Sequence, residues 1–224
     1  MFSYYGGKGH TCSRYPAARY PLVIEPFAGA GWYSIYQVRK KRVRRVILVD
    51  LYDQVIQAWK SLLQTSEAEI LAWTIVPPKE KIPLGPHQAL MGFCFNQGSE
   101  RPRHTAGSFG HTAQEWVRKK QTILRDRAAA RWEIIHGPYT CLNSQIEATW
   151  FVDPPYQSQS RYVKNDIDYN KLAQWCQTLR GQVIVCERAG AEWLPFSPMF
   201  AHPGQRRGTR RGLVQQEVLW ESDL

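Results

Sequence analysis

No uninterrupted apolar run in the sequence is long enough to cross a bilayer, and residues 1–10 carry neither an apolar core nor a small-residue cleavage pattern. Neither a membrane span nor a secretory leader is expected. The five cysteines (Cys12, Cys94, Cys141, Cys176, Cys186) are odd in number, scattered, and never paired as C-x-x-C. That spacing speaks against a disulfide framework and against zinc, as does the lack of ligand spacing among the histidines. The phosphate-gripping patterns G-x-G-x-x-G and G-x-x-x-x-G-K-[ST] are missing, which disfavours NAD and ATP. There is no low-complexity tract and no internal repeat. A metal-free chain with reduced thiols in a cytoplasmic setting is expected, as a monomer or weak dimer.

Acid is also in short supply: 19 Asp and Glu face 29 Lys and Arg, for a net charge of +10. Arginines outnumber lysines 19 to 10, which favours planar, bidentate contacts with phosphate or base edges. A nucleic acid is the leading partner for such a chain. At 224 residues the chain fits one compact domain with room for a small insertion.

Residues 22–25 read as a buried strand, followed by a Gly-rich turn and a helix over 32–41. Residues 46–49 form a second buried strand, and 54–63 a second helix. This alternation predicts an α/β fold with a mainly parallel sheet. Ser66 to Glu69 has the form of a capping box and opens a helix through about 75. Pro77, Pro78, Pro83 and Pro86 then break the pattern. A short helix over 87–94, a polar loop over 96–111 and a capped basic helix over 112–130 follow. Residues 64–131 are read as an insertion into a domain formed by 1–63 and 132–224. Strands are expected at 149–152, 183–186 and 213–220, with a helix over 169–179 capped by Asp168.

Two features carry chemistry. The turn Glu25-Pro26-Phe27-Ala28-Gly29-Ala30-Gly31 follows a buried strand, and its glycines let the backbone approach a ligand. Asp50 ends the second strand about 20 residues on, where a carboxylate accepts from a ribose diol. Each is weak alone; together they suggest a nucleoside-containing cofactor. The second feature is Asp153-Pro154-Pro155-Tyr156, a tetrapeptide expected by chance in roughly one such chain per thousand. It stands at the end of a buried strand, where ligand sites of open α/β sheets gather. Its prolines fix the backbone and present Asp153 and the Pro154 carbonyl as acceptors, with Tyr156 as an aromatic face. That set suits an exocyclic amino group on a flat ring.

The chain resembles the S-adenosylmethionine-dependent DNA adenine-N6 methyltransferases of the Dam type. The resemblance runs through Tyr4-Tyr5-Gly6-Gly7-Lys8, residues 25–31, Asp50 and the DPPY tetrapeptide in the order of the alpha group, and is strongest to phage and prophage members. It implies a Rossmann-like S-adenosylmethionine-dependent methyltransferase fold with a small inserted target-recognition segment. It also implies that Tyr4, Gly6, Gly7, Lys8, Glu25, Phe27, Ala28, Gly29, Gly31 and Asp50 line the cofactor site, together with Asp153. By the same resemblance, Asp153 and the Pro154 carbonyl bind the adenine amino group, and Tyr156 stacks on a base flipped from the duplex. The DPPY form points to adenine rather than cytosine-N4. RNA or cytosine methylation and a catalytically silent DNA-binding homologue are the alternatives.

For double-stranded DNA, three basic groups are candidates. Arg101 and Arg103 lie in the polar loop, where base reading and solvated charge are both open. Lys120, Arg127 and Arg131 share a helical spacing of seven and four, opposite an apolar face of Trp116, Val117, Ile123 and Leu124. Arg206, Arg207, Arg210 and Arg211 form a glycine-punctuated loop suited to phosphates.

Overall fold

The computed structural model describes residues 2–108, 111–157, 162–203 and 214–223, of which 201–203, 214–215 and 223 are described by their backbone alone. The first strand, β1 (Leu22–Glu25), leads into helix α1 (Trp32–Arg39), then β2 (Arg45–Asp50) and α2 (Asp53–Gln64). Three helices follow: α3 (Glu67–Ala72), α4 (Gln88–Cys94) and α5 (Ala113–Ala128). The chain then runs through β3 (Arg131–His136), β4 (Ala148–Val152), α6 (Tyr169–Cys176) and β5 (Gly181–Arg188). Two edge-side strands, β6 (Ser197–Pro203) and β7 (Val214–Asp223), complete it.

These strands form one seven-stranded sheet in the order β3-β2-β1-β4-β5-β7-β6. The pairs from β3 to β5 are parallel, whereas β7 runs antiparallel to both β5 and β6. A doubly wound sheet with a reversed strand wedged beside its last parallel one is the Rossmann-like methyltransferase fold. The strand order reverses between β1 and β4, so the crevice above their carboxyl ends is the natural place for a ligand.

Both sheet faces are covered, which is why the inner strands read as continuous apolar runs rather than alternating ones. Val23, Val46, Leu48 and Phe151 point into a core with α1 and α2, while Ile24, Ile47, Val49 and Trp150 point into another with α6. Tyr33 lies flat on Phe151 with ring centroids 4.1 Å apart. Ile70, Leu90, Phe93, Trp116 and Ile123 join the first of these cores, so residues 64–131 pack onto the α1–α2 face of the sheet. Among the described residues, no helix is long and apolar enough to cross a membrane.

The capping residues sit where the sequence placed them, although the Glu69 carboxylate meets His87 rather than closing a box with Ser66, and α3 ends at Ala72 rather than about 75. Ser66 accepts from the Glu69 N–H at 3.2 Å, Thr112 and Glu115 cap each other reciprocally, and Asp168 accepts from the Lys171 N–H. Two strands were not foreseen. Arg131–His136 is an edge strand, exposed at both ends and half-buried between, and its sequence runs on from the basic helix without a turn signal. Ser197–Pro203 contains Pro198 and Pro203, which suit an edge strand but hide it from a strand search.

Candidate active site

A cavity of about 280 Å³ lies over the carboxyl ends of β1, β2, β3 and β4. That is near the lower end of the usual range for small-molecule sites, about 300–1,000 Å³. Tyr4, Gly6, Gly7, Lys8, Glu25, Phe27, Ala28, Gly29, Asp50, Asp153 and Pro155 all line it. Four stretches distant in sequence thus meet at the switch point, because each immediately follows a parallel strand or belongs to the N-terminal arm laid across them.

The Gly-rich turn is shaped by its neighbours. Gly31 sits at φ 60° ahead of α1, and a Cβ there would come within 2.7 Å of the Trp59 ring. Gly31 therefore shapes the turn from beneath and does not line the cavity. The Gly29 peptide is pinned on both sides, its N–H donating to Asp50 Oδ2 at 2.9 Å and its carbonyl accepting from Trp59 Nε1. Asp50 Oδ1 accepts from the Tyr52 N–H at 2.8 Å. Asp50 thereby ties the turn to the end of β2, and with the Leu51 N–H also acting on it the carboxylate still has acceptor capacity left for a ligand. Burial pushes its carboxyl up to about 6, against those N–H donors.

Glu25 ends β1 and is buried, with Oε1 accepting from the Ser34 N–H at 2.7 Å in the first turn of α1. Burial raises its carboxyl to about 8, so it is largely a neutral acid near pH 7. On the N-terminal arm, a Cβ on Gly6 would fall 2.0 Å from the Tyr162 hydroxyl. The absence of that atom lets Tyr162 close against Tyr5, 5.2 Å away between ring centroids.

Asp153 stands at the end of β4 within a buried charge cluster. Its Oδ1 is 3.2 Å from Lys8 Nζ, and Lys8 in turn donates to Glu217 Oε1 at 2.8 Å. Tyr15 donates to the same Glu217 oxygen at 2.6 Å, as does Tyr156, whose hydroxyl also accepts from Lys8. Asp153, Cys186 and Glu217 place their ligating atoms within 4.8 Å of one another, and the cation serving that cluster is the Lys8 ammonium. Burial raises the Asp153 carboxyl to about 6, with Lys8 opposing and Glu217 adding to the rise. Burial works against the Lys8 ammonium too, but Asp153 and Glu217 outweigh it and hold its proton tightly. For Glu217, the Lys8 charge and the donated hydrogen bonds overcome burial and hold it below the usual carboxylate range.

Several expected roles are corrected. Pro154 and Tyr156 do not line the cavity. Tyr156 is buried, its hydroxyl held by Lys8 and Glu217, with the Lys8 ammonium 4.5 Å from its ring centroid. It anchors the cluster instead of presenting a stacking face. Lys120 is no phosphate ligand: it is buried and donates to the carbonyls of Leu71 and Trp73 (3.0 Å), closing the end of α3. Arg127 does the same for α2, donating to the Thr65 carbonyl at 2.5 Å. Arg131 is exposed, but at the start of β3 and so at the opposite end of the strands from the cavity. Val117 is 47% exposed and leaves the packing face to Trp116 and Ile123. Arg206, Arg207, Arg210 and Arg211 lie outside the described residues.

Other lining residues carried no sequence signal. Gly137, Pro138 and Tyr139 follow β3, a strand that was itself missed, and Tyr139 faces Phe27 at 5.6 Å between centroids. Residues 162–167 form a further wall from a stretch with no periodicity. Glu217 carried no sequence signal either: it is a buried carboxylate within β7, and its burial comes from the pairing of that strand between β5 and β6.

No family-wide sequence pattern matches the chain, and no curated protein resembles it significantly. Solved structures with a distantly similar course include a conserved hypothetical protein of Streptococcus pyogenes, at 12% identity over 92% of this chain and 86% of that one, TM-score 0.39. A candidate methylase of Haemophilus influenzae matches at 10% identity over 89% and 85% of the two chains, TM-score 0.39. A candidate methyltransferase of Escherichia coli, YhhF, matches at 10% identity over 91% and 77%, also with a TM-score of 0.39. The fold assignment rests on the strand order itself.

Proposed function

We propose that this chain is an S-adenosylmethionine-dependent methyltransferase acting on the N6 amino group of adenine in DNA. The observation that carries this reading is one cavity shared by Asp50, the Gly-rich turn and Asp153, at the switch point of the sheet. The cavity suits the cofactor: Asp50 offers carboxylate lone pairs for a ribose diol, and Phe27 and Tyr139 give apolar walls for a flat base. When bound there, S-adenosylmethionine supplies an electrophilic methyl group.

Asp153 supplies the complementary half. An adenine amino nitrogen is a poor nucleophile because its lone pair is delocalised into the ring. A carboxylate accepting its N–H bonds favours the tetrahedral nitrogen that attacks, and holds it in place. With a carboxyl near 6, Asp153 is ionised at neutral pH, and Oδ1 or Oδ2 can take up the proton the nitrogen sheds. The aromatic wall for the base falls to Tyr5 and Tyr162 in this reading, since Tyr156 is occupied elsewhere.

For the nucleic acid, a short ribbon within 64–131 supports the reading. The Lys79 N–H donates to the Ala106 carbonyl at 3.0 Å and the Ile82 N–H to the His104 carbonyl at 2.8 Å, with a bridge between Lys81 and Thr105. The ribbon and its flanks expose Lys79, Lys81, Arg101 and Arg103, and Leu84, two residues past Ile82, is 86% exposed. The segment is tied to the N-terminal arm of the cavity through Tyr5 N–H to the Ser99 carbonyl at 3.2 Å. Neutralising those four cations is expected to flatten the dependence of log K for DNA on log[salt], by up to about 0.9 per lost phosphate contact. An unaltered slope in a filter-binding series would reduce the ribbon to solvated charge.

The reading is tested by calorimetric titration of S-adenosylmethionine into the purified protein. One molecule bound per chain is expected. Absence of binding at millimolar cofactor would overturn it.

A further inference from the structure

We infer that Lys8 and Glu217 are a positioning pair for Asp153: Glu217 fixes the Lys8 ammonium, and Lys8 fixes the carboxylate that faces the cavity. The inference rests on the reading of Asp153 as the acceptor of the substrate amino group.

The geometry runs outward from the core to the cavity. The Glu217 side chain is 3% exposed, that of Lys8 12% and that of Asp153 19%. Glu217 Oε1 accepts from Lys8, Tyr15 and Tyr156, so its position is fixed from three directions. Tyr15 is in turn held edge-on to Phe151 at 5.2 Å between centroids. The pair joins the first residues of the chain to its last strand across β4, so it forms only when the sheet is complete.

Stability alone does not account for such a cluster. Burying charges costs several kcal/mol per ion, and apolar replacements of similar volume are often neutral or stabilising. What an apolar set would not do is hold a carboxylate at the cavity wall in one orientation, with its charge set by two opposed neighbours. The cation beside Asp153 favours the carboxylate and the anion behind it favours the acid. Other groups acting on Asp153 leave that opposition in place. Tyr156, whose hydroxyl proton goes to Glu217, acts on it electrostatically, as do Glu25, Tyr15, Tyr162 and Cys186 from the surrounding elements.

Removing either member therefore moves Asp153 in a direction of its own. Lys8→Met leaves two carboxylates facing each other, which titrate in two steps, the upper one raised. Glu217→Gln keeps an acceptor oxygen of the same size for Tyr15 and Tyr156 but removes the charge, so Asp153 falls.

The test is a carbon-detected NMR titration of Asp side-chain carboxyls in the free protein, with Asp153 assigned by its loss in Asp153→Asn. The expected result is an upward shift of at least about one pH unit in Lys8→Met, the size typical of an adjacent charge, and a smaller downward shift in Glu217→Gln. Thermal denaturation of each variant establishes that it is folded. Should Lys8→Met not fold, the isosteric Glu217→Gln decides by itself through its downward shift. Unshifted titrations, or shifts of the same sign in both variants, would overturn the inference. The acid limb of kcat is expected to move with the NMR values. Opposed NMR shifts in a protein that transfers no methyl group would leave the pair standing and sink the functional reading. Methyl transfer with an unmoved pH profile would overturn the pair alone.

Discussion

Replacing Asp153 with Ala is expected to lower kcat for methyl transfer by about 10²- to 10³-fold, the scale for losing a preorganised group that acts at the transition state. Cofactor affinity should change little by comparison, because the turn at residues 27–31 and Asp50 are held by contacts that do not involve Asp153. The fold should also survive. Lys8 keeps Glu217 at 2.8 Å, so the substitution strands no unpaired buried cation. Asp153→Asn provides the control: it retains one acceptor oxygen but turns donors toward Lys8, and an intermediate rate is expected. Single-turnover transfer with labelled cofactor measures both. A rate for Asp153→Ala within tenfold of the parent would remove Asp153 from the reaction.

The second large effect concerns the other end of the cavity. Asp50→Ala is expected to weaken S-adenosylmethionine binding by about 10- to 100-fold, corresponding to one charge-assisted hydrogen bond at about 1.5–3 kcal/mol. Part of that loss is indirect. Without the carboxylate, the Gly29 and Tyr52 N–H groups lose their acceptor and the turn loses its tie to β2. Calorimetry on the folded variant reads the affinity, and an unchanged Kd would place the diol elsewhere. The pH sense of the same site follows from its sign. Asp50 and Asp153 are both raised to about 6, so both are carboxylates above that value and lose their charge below it. Activity should therefore decline as pH falls through about 6.

The parts of this molecule that were legible in the sequence are those where one physical demand acts on a contiguous stretch. The strands β1, β2, β4 and β5 are apolar on both faces because both are covered, and each shows as an unbroken run. Asp50 and Asp153 were visible because a carboxylate ending such a run has no packing reason to be there. The illegible parts depend on what the chain meets in space. The basic spacing of Lys120 and Arg127 suggested an outward face, yet their ammonium and guanidinium groups are taken by the open carbonyls at the ends of α3 and α2. Tyr156 belongs to a tetrapeptide whose chemistry pointed to stacking. Its actual surroundings, Lys8 and Glu217, lie 148 and 61 residues away in sequence. Glu217 is buried only because β7 runs between β5 and β6 with the N-terminal arm packed over it, and no local pattern records that arrangement.

The central claim is tested most directly by incubating the protein and tritiated-methyl S-adenosylmethionine with unmethylated double-stranded DNA, single-stranded DNA and RNA, followed by nucleoside analysis. The account predicts label in N6-methyladenine from DNA, absent with Asp153→Ala. Label confined to RNA, or to N4-methylcytosine, would keep the chemistry and contradict the assigned substrate. Cofactor binding without transfer to any of the three nucleic acids would contradict the claim that Asp153 and the cavity beside it methylate a nucleobase.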